Sequence, residues 1–116
     1  MFTGQVAVIS NKATWASEVY ELVDEDDGST IDLSDSGLTV DIVVTIRDLD
    51  NWNCIRATAS ISNGKTTIPG PGFQWQFEDT DLSNLCAGTY RLGVKITIDG
   101  FIDDTIDGTI AVLEGN

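Results

Sequence analysis

The chain has 116 residues, of which 41% are hydrophobic, and its 19 acidic and 6 basic residues give a formal net charge of −13. This length suits one domain with one core, and the charge repels phosphate backbones, which disfavours nucleic-acid binding. Because no apolar run approaches ~20 residues and no basic, apolar leader is present, we expect a single domain over residues 1–116 without a membrane span or signal peptide.

Two β-rich runs open the chain, at residues 5–10 and 15–23, and both are predicted to be strands. The acidic stretch 24–30 follows them. Aligning Gly28 with the sixth position of an EF-hand loop puts Val23 at the first position and Ser34 at the twelfth, so the first ligand and the bidentate glutamate are both missing. We therefore predict a solvated turn and no metal site.

The middle of the chain has two further alternating runs. Apolar residues occupy the even positions from Leu38 to Ile46, which predicts a half-buried strand. Residues 54–62 alternate in the opposite sense. This pattern predicts Ile55, Ala57, Ala59 and Ile61 inward, and it places Cys54 on the wet face or at an interface.

Asn63-Gly64 is a hairpin turn signal, and the Pro/Gly-rich loop 68–72 cannot sustain a ladder. A short strand follows, with Phe73, Trp75 and Phe77 predicted to enter the core, although an aromatic row at this spacing also suits stacking on sugars. Residues 79–85 then contain a capping residue and two leucines at helical spacing, which predicts one turn of helix.

The last two runs, residues 88–98 and 101–113, are predicted to form a hairpin that turns near Asp99-Gly100. Their apolar residues fall on even positions in both runs. A two-residue loop would set even positions opposite odd ones, so this parity favours a three-residue loop from Ile98 to Gly100.

The resulting register makes specific predictions for the hairpin. It pairs Ile96 with Ile102, Leu92 with Ile106, Lys95 with Asp103, and Arg91 with Asp107. It also turns Asp104 inward opposite Val94, where we expect a β-bulge or a sheet rim.

Cys54 and Cys86 are the only cysteines, and no Cys-x-x-Cys motif is present. Without a leader, they are expected to be reduced thiols. A bond between them, or between neighbouring copies in an oxidising environment, is the alternative.

The chain has no histidine, glycine-rich phosphate loop, nucleophile elbow or Cys/His cluster. Its carboxylates lie mostly in turns beside Gly, Ser and Asn, where they are usually solvated. We therefore expect no enzymatic activity, no catalytic or cofactor-binding residues, no metal ligands and no cofactor.

No run has the length and periodicity of an ordinary amphipathic helix, and the strand signals recur every 8–12 residues or so. This pattern predicts an all-β, antiparallel sandwich of about seven strands with at most one helical turn.

Several short motifs carry a resemblance to a known group of proteins. They are Trp15 at the start of an early strand, Asp27-Gly28 before Ile31-Asp32-Leu33, residues 44–48 (VTIRD), residues 85–90 (LCAGTY) and residues 108–112 (GTIAV). In this layout the chain resembles the immunoglobulin-like virion modules of tailed phages and prophages, similar to the N-terminal domain of phage baseplate upper proteins. The resemblance implies an immunoglobulin-like sandwich in which the Tyr90 hydroxyl bonds back to the upstream turn. The cysteines do not have the spacing of the inter-sheet disulfide of antibody domains.

The resemblance implies a structural virion protein, namely a capsid decoration, neck or tail accessory protein. It would be made in the host cytoplasm, and its partners would be copies of itself and another capsid, neck or tail protein. The alternative is a carbohydrate-binding sandwich for host-surface attachment, using Trp52 or an exposed ring near Trp75. A third hypothesis, an acidic DNA mimic, rests on charge alone.

Overall fold

The computed structural model describes residues 4–23, 28–49 and 54–114, which form a β-sandwich. The described elements are β1 (Gln5–Ser10), β2 (Trp15–Ala16), β3 (Leu22–Val23), β4 (Thr30–Ile31), β5 (Val40–Asp48), β6 (Ile55–Ser60), β7 (Thr66–Thr67), β8 (Gln74–Phe77), α1 (Asp79–Leu82), β9 (Gly88–Ile98) and β10 (Phe101–Leu113). The predicted all-β fold with one helical turn is confirmed. The strands outnumber the predicted seven or so because four of them have only two residues.

The strands form two main sheets. One has five strands in the order β1-β10-β9-β5-β6, and the other has three in the order β2-β8-β7, while β3 and β4 pair with each other. β1 runs parallel to β10, and the other strand pairs are antiparallel.

The core lies between the two sheets. As predicted, it contains even-numbered residues of β5 and β9. The even positions of these strands point inward, and the rings of β8 and the residue before it meet them from the other sheet. The side chains at most 1% exposed include Ile42, Val44, Ile46, Phe73, Trp75, Phe77, Leu92, Val94 and Ile96. The prediction that the aromatic row enters the core is confirmed.

The prediction of one continuous strand over residues 15–23 is wrong, because the segment forms two short strands, β2 and β3. The Ser17 hydroxyl accepts a hydrogen bond from the Trp75 backbone N–H at 3.0 Å, so a side chain takes the place of a ladder partner. Further along, Tyr20 forms an isolated bridge to Phe73 through two backbone hydrogen bonds of 2.8 Å.

The hairpin turns through two residues, Asp99 and Gly100, so the predicted three-residue loop is wrong. Both residues have positive φ, 49° and 89°, which is the geometry of the type I′ turn that matches the twist of paired strands. Asp99 is anchored from outside the hairpin. Its N–H donates to the Thr39 carbonyl at 2.8 Å, and its carboxylate accepts from the Thr39 N–H at 2.8 Å.

The register therefore differs from the predicted one. It sets Ile102 opposite Thr97, Asp103 opposite Ile96, Asp104 opposite Lys95, Ile106 opposite Val94, Gly108 opposite Leu92, and Thr109 opposite Arg91. The expected bulge is present, between Asp104 and Ile106. Because it inserts one residue, it restores the parity that the two-residue turn had broken, and the later even positions of β10 return to the core.

Two predicted inward residues lie on the outside because of irregularities in register. Ile102 precedes the β10 bulge and is 67% exposed. Ile55 is paired with Arg47 beyond a register shift in the β5–β6 ladder, and it is 51% exposed. By contrast, Ala59 is buried as predicted, and Cys54 is exposed as predicted.

The helical turn α1 is held at its N-terminal end by Asp81. The Asp81 carboxylate accepts a hydrogen bond from the Glu78 backbone N–H at 3.0 Å and forms a salt bridge with Lys65. Burial alone would raise the pKa of Asp81, but the hydrogen bonds from Lys65 and Glu78 and the Lys65 charge together hold this pKa below the ordinary value of an aspartate. The carboxylate thus ties α1 to the residue preceding β7.

We expect Asp81→Ala to lower the free energy of unfolding by about 1 kcal/mol at pH 7, as the loss of a helix cap does. Since the folded-state pKa is lowered, this stabilisation is present above the unfolded pKa and is lost as the pH falls through the folded value, below about pH 4. Urea denaturation at pH 7 and at pH 2.5 measures the difference. Asp79→Ala removes the same charge from the same turn and is the control. An equal loss at both pH values would contradict the prediction.

Candidate functional site

The largest regular surface is the outer side of the five-stranded sheet. We call it the outer sheet face, formed by the odd-numbered residues of β5 and β9 and by the residues that the register sets beside them on β1, β10 and β6. One row crosses all five strands, and its members are Gln5, Thr109, Arg91, Arg47 and Ile55. The predicted wet, odd-numbered face of the hairpin is the centre of this surface.

The outer sheet face has a different charge balance from the rest of the chain. It contains Arg47, Arg91 and Lys95, which are three of the six basic residues. Among its residues whose side chains the structure describes, Asp41 and Asp107 are acidic. Among the described side chains, this face therefore has three basic and two acidic residues, although the whole chain has 6 basic and 19 acidic residues.

Two arginines stand directly opposite each other at the centre of this face, because Arg47 of β5 is the register partner of Arg91 of β9. Like charges at opposed positions destabilise a sheet. Asp107 offsets part of this cost, since its two carboxylate oxygens accept hydrogen bonds from the Arg91 guanidinium at 2.8 and 3.0 Å. The predicted Arg91–Asp107 pair is thus present, but it is diagonal across the ladder.

Exposed aliphatic side chains are concentrated on the same face. Val8 is 55% exposed and Leu113 57%, both near the β1 edge, whereas Ile55 is at the β6 edge and Ile102 is near the hairpin turn. These are four of the seven large, exposed hydrophobic residues in the described ranges. Single exposed aliphatics are ordinary, but four of them around the borders of one face with a small net charge among its described side chains make this face a candidate contact surface.

The row Phe73, Trp75 and Phe77 is buried, so it does not form the sugar-stacking platform that was the alternative for this row. The Trp75 ring is fully buried, with Tyr20 stacked on it at 5.1 Å and Trp15 packed edge-on at 5.7 Å. Trp15 and Tyr20 are themselves half-buried. Of the rings that contact Trp75, these two are partly exposed, so they are what remains of the predicted exposed ring near Trp75.

Trp52 and the acidic residues 24–27 lie outside the described residues. The hypothesis that Trp52 binds a glycan stays a prediction, tested by loss of glycan-array binding in Trp52→Ala.

A described depression beside β7 and β8, lined by Lys65, Gln74, Gln76 and others, has a volume of about 130 Å³. Small-molecule sites usually have roughly 300–1,000 Å³.

Both cysteines lie at the same end of the five-stranded sheet as Tyr90. The Tyr90 hydroxyl donates to the Cys86 carbonyl at 2.8 Å, which confirms the predicted bond to the upstream turn. Burial is the main cause that raises the pKa of Tyr90, and the electrostatic effects of the nearby Cys86 and Asp48 raise it further. The backbone N–H of Asp48, the register partner of Tyr90, donates to the Cys54 carbonyl at 3.2 Å.

Asp48 also forms an ion pair with Arg56 at this end of the sheet, at 2.7 Å. The hydrogen bond from Arg56 lowers the pKa of Asp48. The pair is exposed to solvent, so it contributes little to stability.

Cys54 and Cys86 are exposed thiols that are not joined in a disulfide. We expect a maleimide to label both in the native protein without prior reduction, because neither sulfur is shielded by the core. Intact-mass spectrometry should show two additions for the wild type, and Cys54→Ser and Cys86→Ser should each show one. A mass 2 Da below the reduced value, with no labelling, would instead indicate a disulfide.

The described residues contain no group of three or more Cys, Asp and Glu that could hold a metal ion. Among the same residues, no helix is long and apolar enough to span a membrane.

The sequence indicated polar residues at odd-numbered positions of two separate strands, but it did not indicate that these residues share one surface. Arg47 and Arg91 are 44 positions apart, and only the β5–β9 register brings them together. Neither comparison with known proteins assigns a role to this surface, since no family model and no curated protein matches the chain.

Proposed function

We propose that the chain is a non-enzymatic structural component of a tailed-phage virion, serving as a capsid decoration, neck or tail accessory protein. It acts by docking on copies of itself or on a capsid or tail protein. The observation that supports this most directly is the outer sheet face, which combines a small net charge among its described side chains with four exposed aliphatics in a strongly acidic chain. Such a surface suits protein contact better than small-molecule chemistry.

The immunoglobulin-like layout is part of the proposal, and the strand order supports it. In variable-type immunoglobulin domains one sheet contains strands G, F, C and C′ in that order, and the other contains B, E and D. The orders β10-β9-β5-β6 and β2-β8-β7 follow this plan when the strands are taken in sequence. The parallel β1 at the edge beside β10 extends the first sheet.

Tyr90 gives a second, local support. In immunoglobulin folds a tyrosine near the start of strand F bonds back to the backbone a few residues upstream. Tyr90 lies near the start of β9, and its hydroxyl donates to Cys86, four residues earlier. This is the role that the resemblance to phage modules implies for Tyr90.

The test is the composition of purified particles from the phage or prophage that encodes the chain. We expect mass spectrometry to find the chain in gradient-purified virions in a constant ratio to the major capsid protein. An abundant host protein of similar mass is the control for carry-over. Absence of the chain from particles, with normal amounts in the infected lysate, would overturn the proposal.

A further inference from the structure

Electrostatics restricts how two copies of this chain can approach each other. Each copy has a net charge of −13, and like-charged proteins repel through their acidic surfaces. Among the side chains that the structure describes, the outer sheet face has three basic and two acidic residues, so it does not share the negative excess of the whole chain. Two copies that meet through this face therefore do not bring two strongly negative surfaces together.

The same face can be complementary to itself. In a two-fold arrangement, each residue of one copy meets the symmetry-related surface of the other, so a purely basic face would repel its own kind. Here the arginines at the centre, Arg47 and Arg91, share the face with Asp41 and Asp107. A second copy can therefore offer its exposed Asp41 carboxylate to the basic residues of this face and receive the same contact in return.

The area is adequate for a dimer. Five strands spaced ~4.8 Å apart, with about eight residues of ~3.4 Å along each, cover roughly 650 Å² of plane. A standard interface buries about 800 Å² per partner. The accessible area of the sheet exceeds its planar area because side chains project from it, so the sheet area and the standard interface area are similar. The exposed Val8, Ile55, Ile102 and Leu113 add apolar area on this side of the sheet.

We propose that the outer sheet face binds the same face of a second copy of this chain, giving a two-fold dimer that packs sheet against sheet. The inference rests on the docking role given under the proposed function and names its surface and partner. Acidic residues of one copy contact basic residues of the other, and the exposed aliphatics pack at the borders of the contact. The competing hypothesis is that a different, acidic protein binds the outer sheet face.

The experiment compares two double variants that have the same change in charge. Lys95→Glu with Ile102→Asp alters the outer sheet face, whereas Lys12→Glu with Val19→Asp alters exposed residues elsewhere. Each double variant changes the net charge by −3, replacing one exposed basic and one exposed aliphatic residue. Sedimentation equilibrium of the full chain at about 0.15 M salt, where long-range repulsion is screened, gives the dimer Kd.

We expect a dimeric wild type, a face variant whose dimer Kd is at least about 100-fold weaker, and a control within about threefold of wild type. Circular dichroism should show that both variants stay folded. If the face variant does not melt cooperatively, Arg47→Glu replaces it, with Lys12→Glu alone as its control. A monomeric wild type, or equal weakening of both variants, would overturn the inference.

Particle analysis separates this inference from the proposed function. If the wild type is a dimer that the face variant weakens, but the chain is absent from virions, the proposed virion function is wrong and the dimer inference stands. A monomeric chain that is present in virions, and lost from them in the face variant, would show that a different protein occupies the face. That outcome keeps the proposed function and overturns the second copy as partner.

Discussion

Trp75→Ala is expected to lower the free energy of unfolding by about 3–5 kcal/mol. The side chain is fully buried between the sheets and contacts Trp15, Tyr20 and Phe73 through its ring. Alanine would leave a large cavity and remove three aromatic contacts together. A domain of this size is usually stable by only ~5–15 kcal/mol, so much of the chain should be unfolded near its former melting temperature.

Urea denaturation followed by far-ultraviolet circular dichroism measures this loss without relying on tryptophan fluorescence. Gln76→Ala is the matched control, because Gln76 is the next residue of β8 and points to solvent. Its effect should be within about 0.5 kcal/mol. Trp75→Phe should lose much less than Trp75→Ala, since the Trp75 Nε1 atom has no hydrogen-bond partner to lose. A loss below about 1.5 kcal/mol for Trp75→Ala, roughly half the lower expected value, would contradict the packing.

Gly108→Ala is expected to cost about 1–3 kcal/mol through overpacking. A Cβ atom at this position would lie 2.4 Å from the Gly4 carbonyl oxygen and 2.9 Å from a Val6 methyl group. The Gly4 oxygen is backbone and accepts a hydrogen bond from the Thr109 N–H at 2.8 Å, so it cannot move away alone. The start of β1 would have to separate from β10.

Gly93→Ala tests the same substitution on the neighbouring strand, where the nearest atom to a new Cβ is the Thr45 hydroxyl at 3.4 Å. It should be neutral or slightly stabilising, because alanine loses less conformational entropy than glycine on folding. Hydrogen exchange should show lower protection of the β1 amides in Gly108→Ala and unchanged protection in Gly93→Ala. Equal stability of the two variants would contradict the close approach of β1 and β10.

Several features of the fold could be predicted from local sequence. The alternation of apolar residues determined β5 and β9 and the inward direction of their even positions. The row Phe73, Trp75 and Phe77 was assigned to the core for the same reason, and the leucines at helical spacing indicated α1. These features depend on short-range periodicity, which the chain shows directly.

The register of the hairpin needed contacts from outside it. Parity favoured a three-residue loop, but Thr39 bonds both the N–H and the carboxylate of Asp99, and this stabilises the two-residue turn. The bulge after Asp104 then restores the inward positions of β10. Ile102 is left on the outer sheet face, where sequence parity did not place it.

By itself, the sequence determined that this protein is an acidic, all-β sandwich with an aromatic core and a polar, odd-numbered side to its longest strands. Only the tertiary structure decided which of those polar positions meet. The reason is that strand pairing is non-local: the order β1-β10-β9-β5-β6 places Arg47 beside Arg91 and brings Ile55 and Ile102 onto the same face. The outer sheet face thus depends on register, which bulges and a turn anchored by Thr39 set between distant segments.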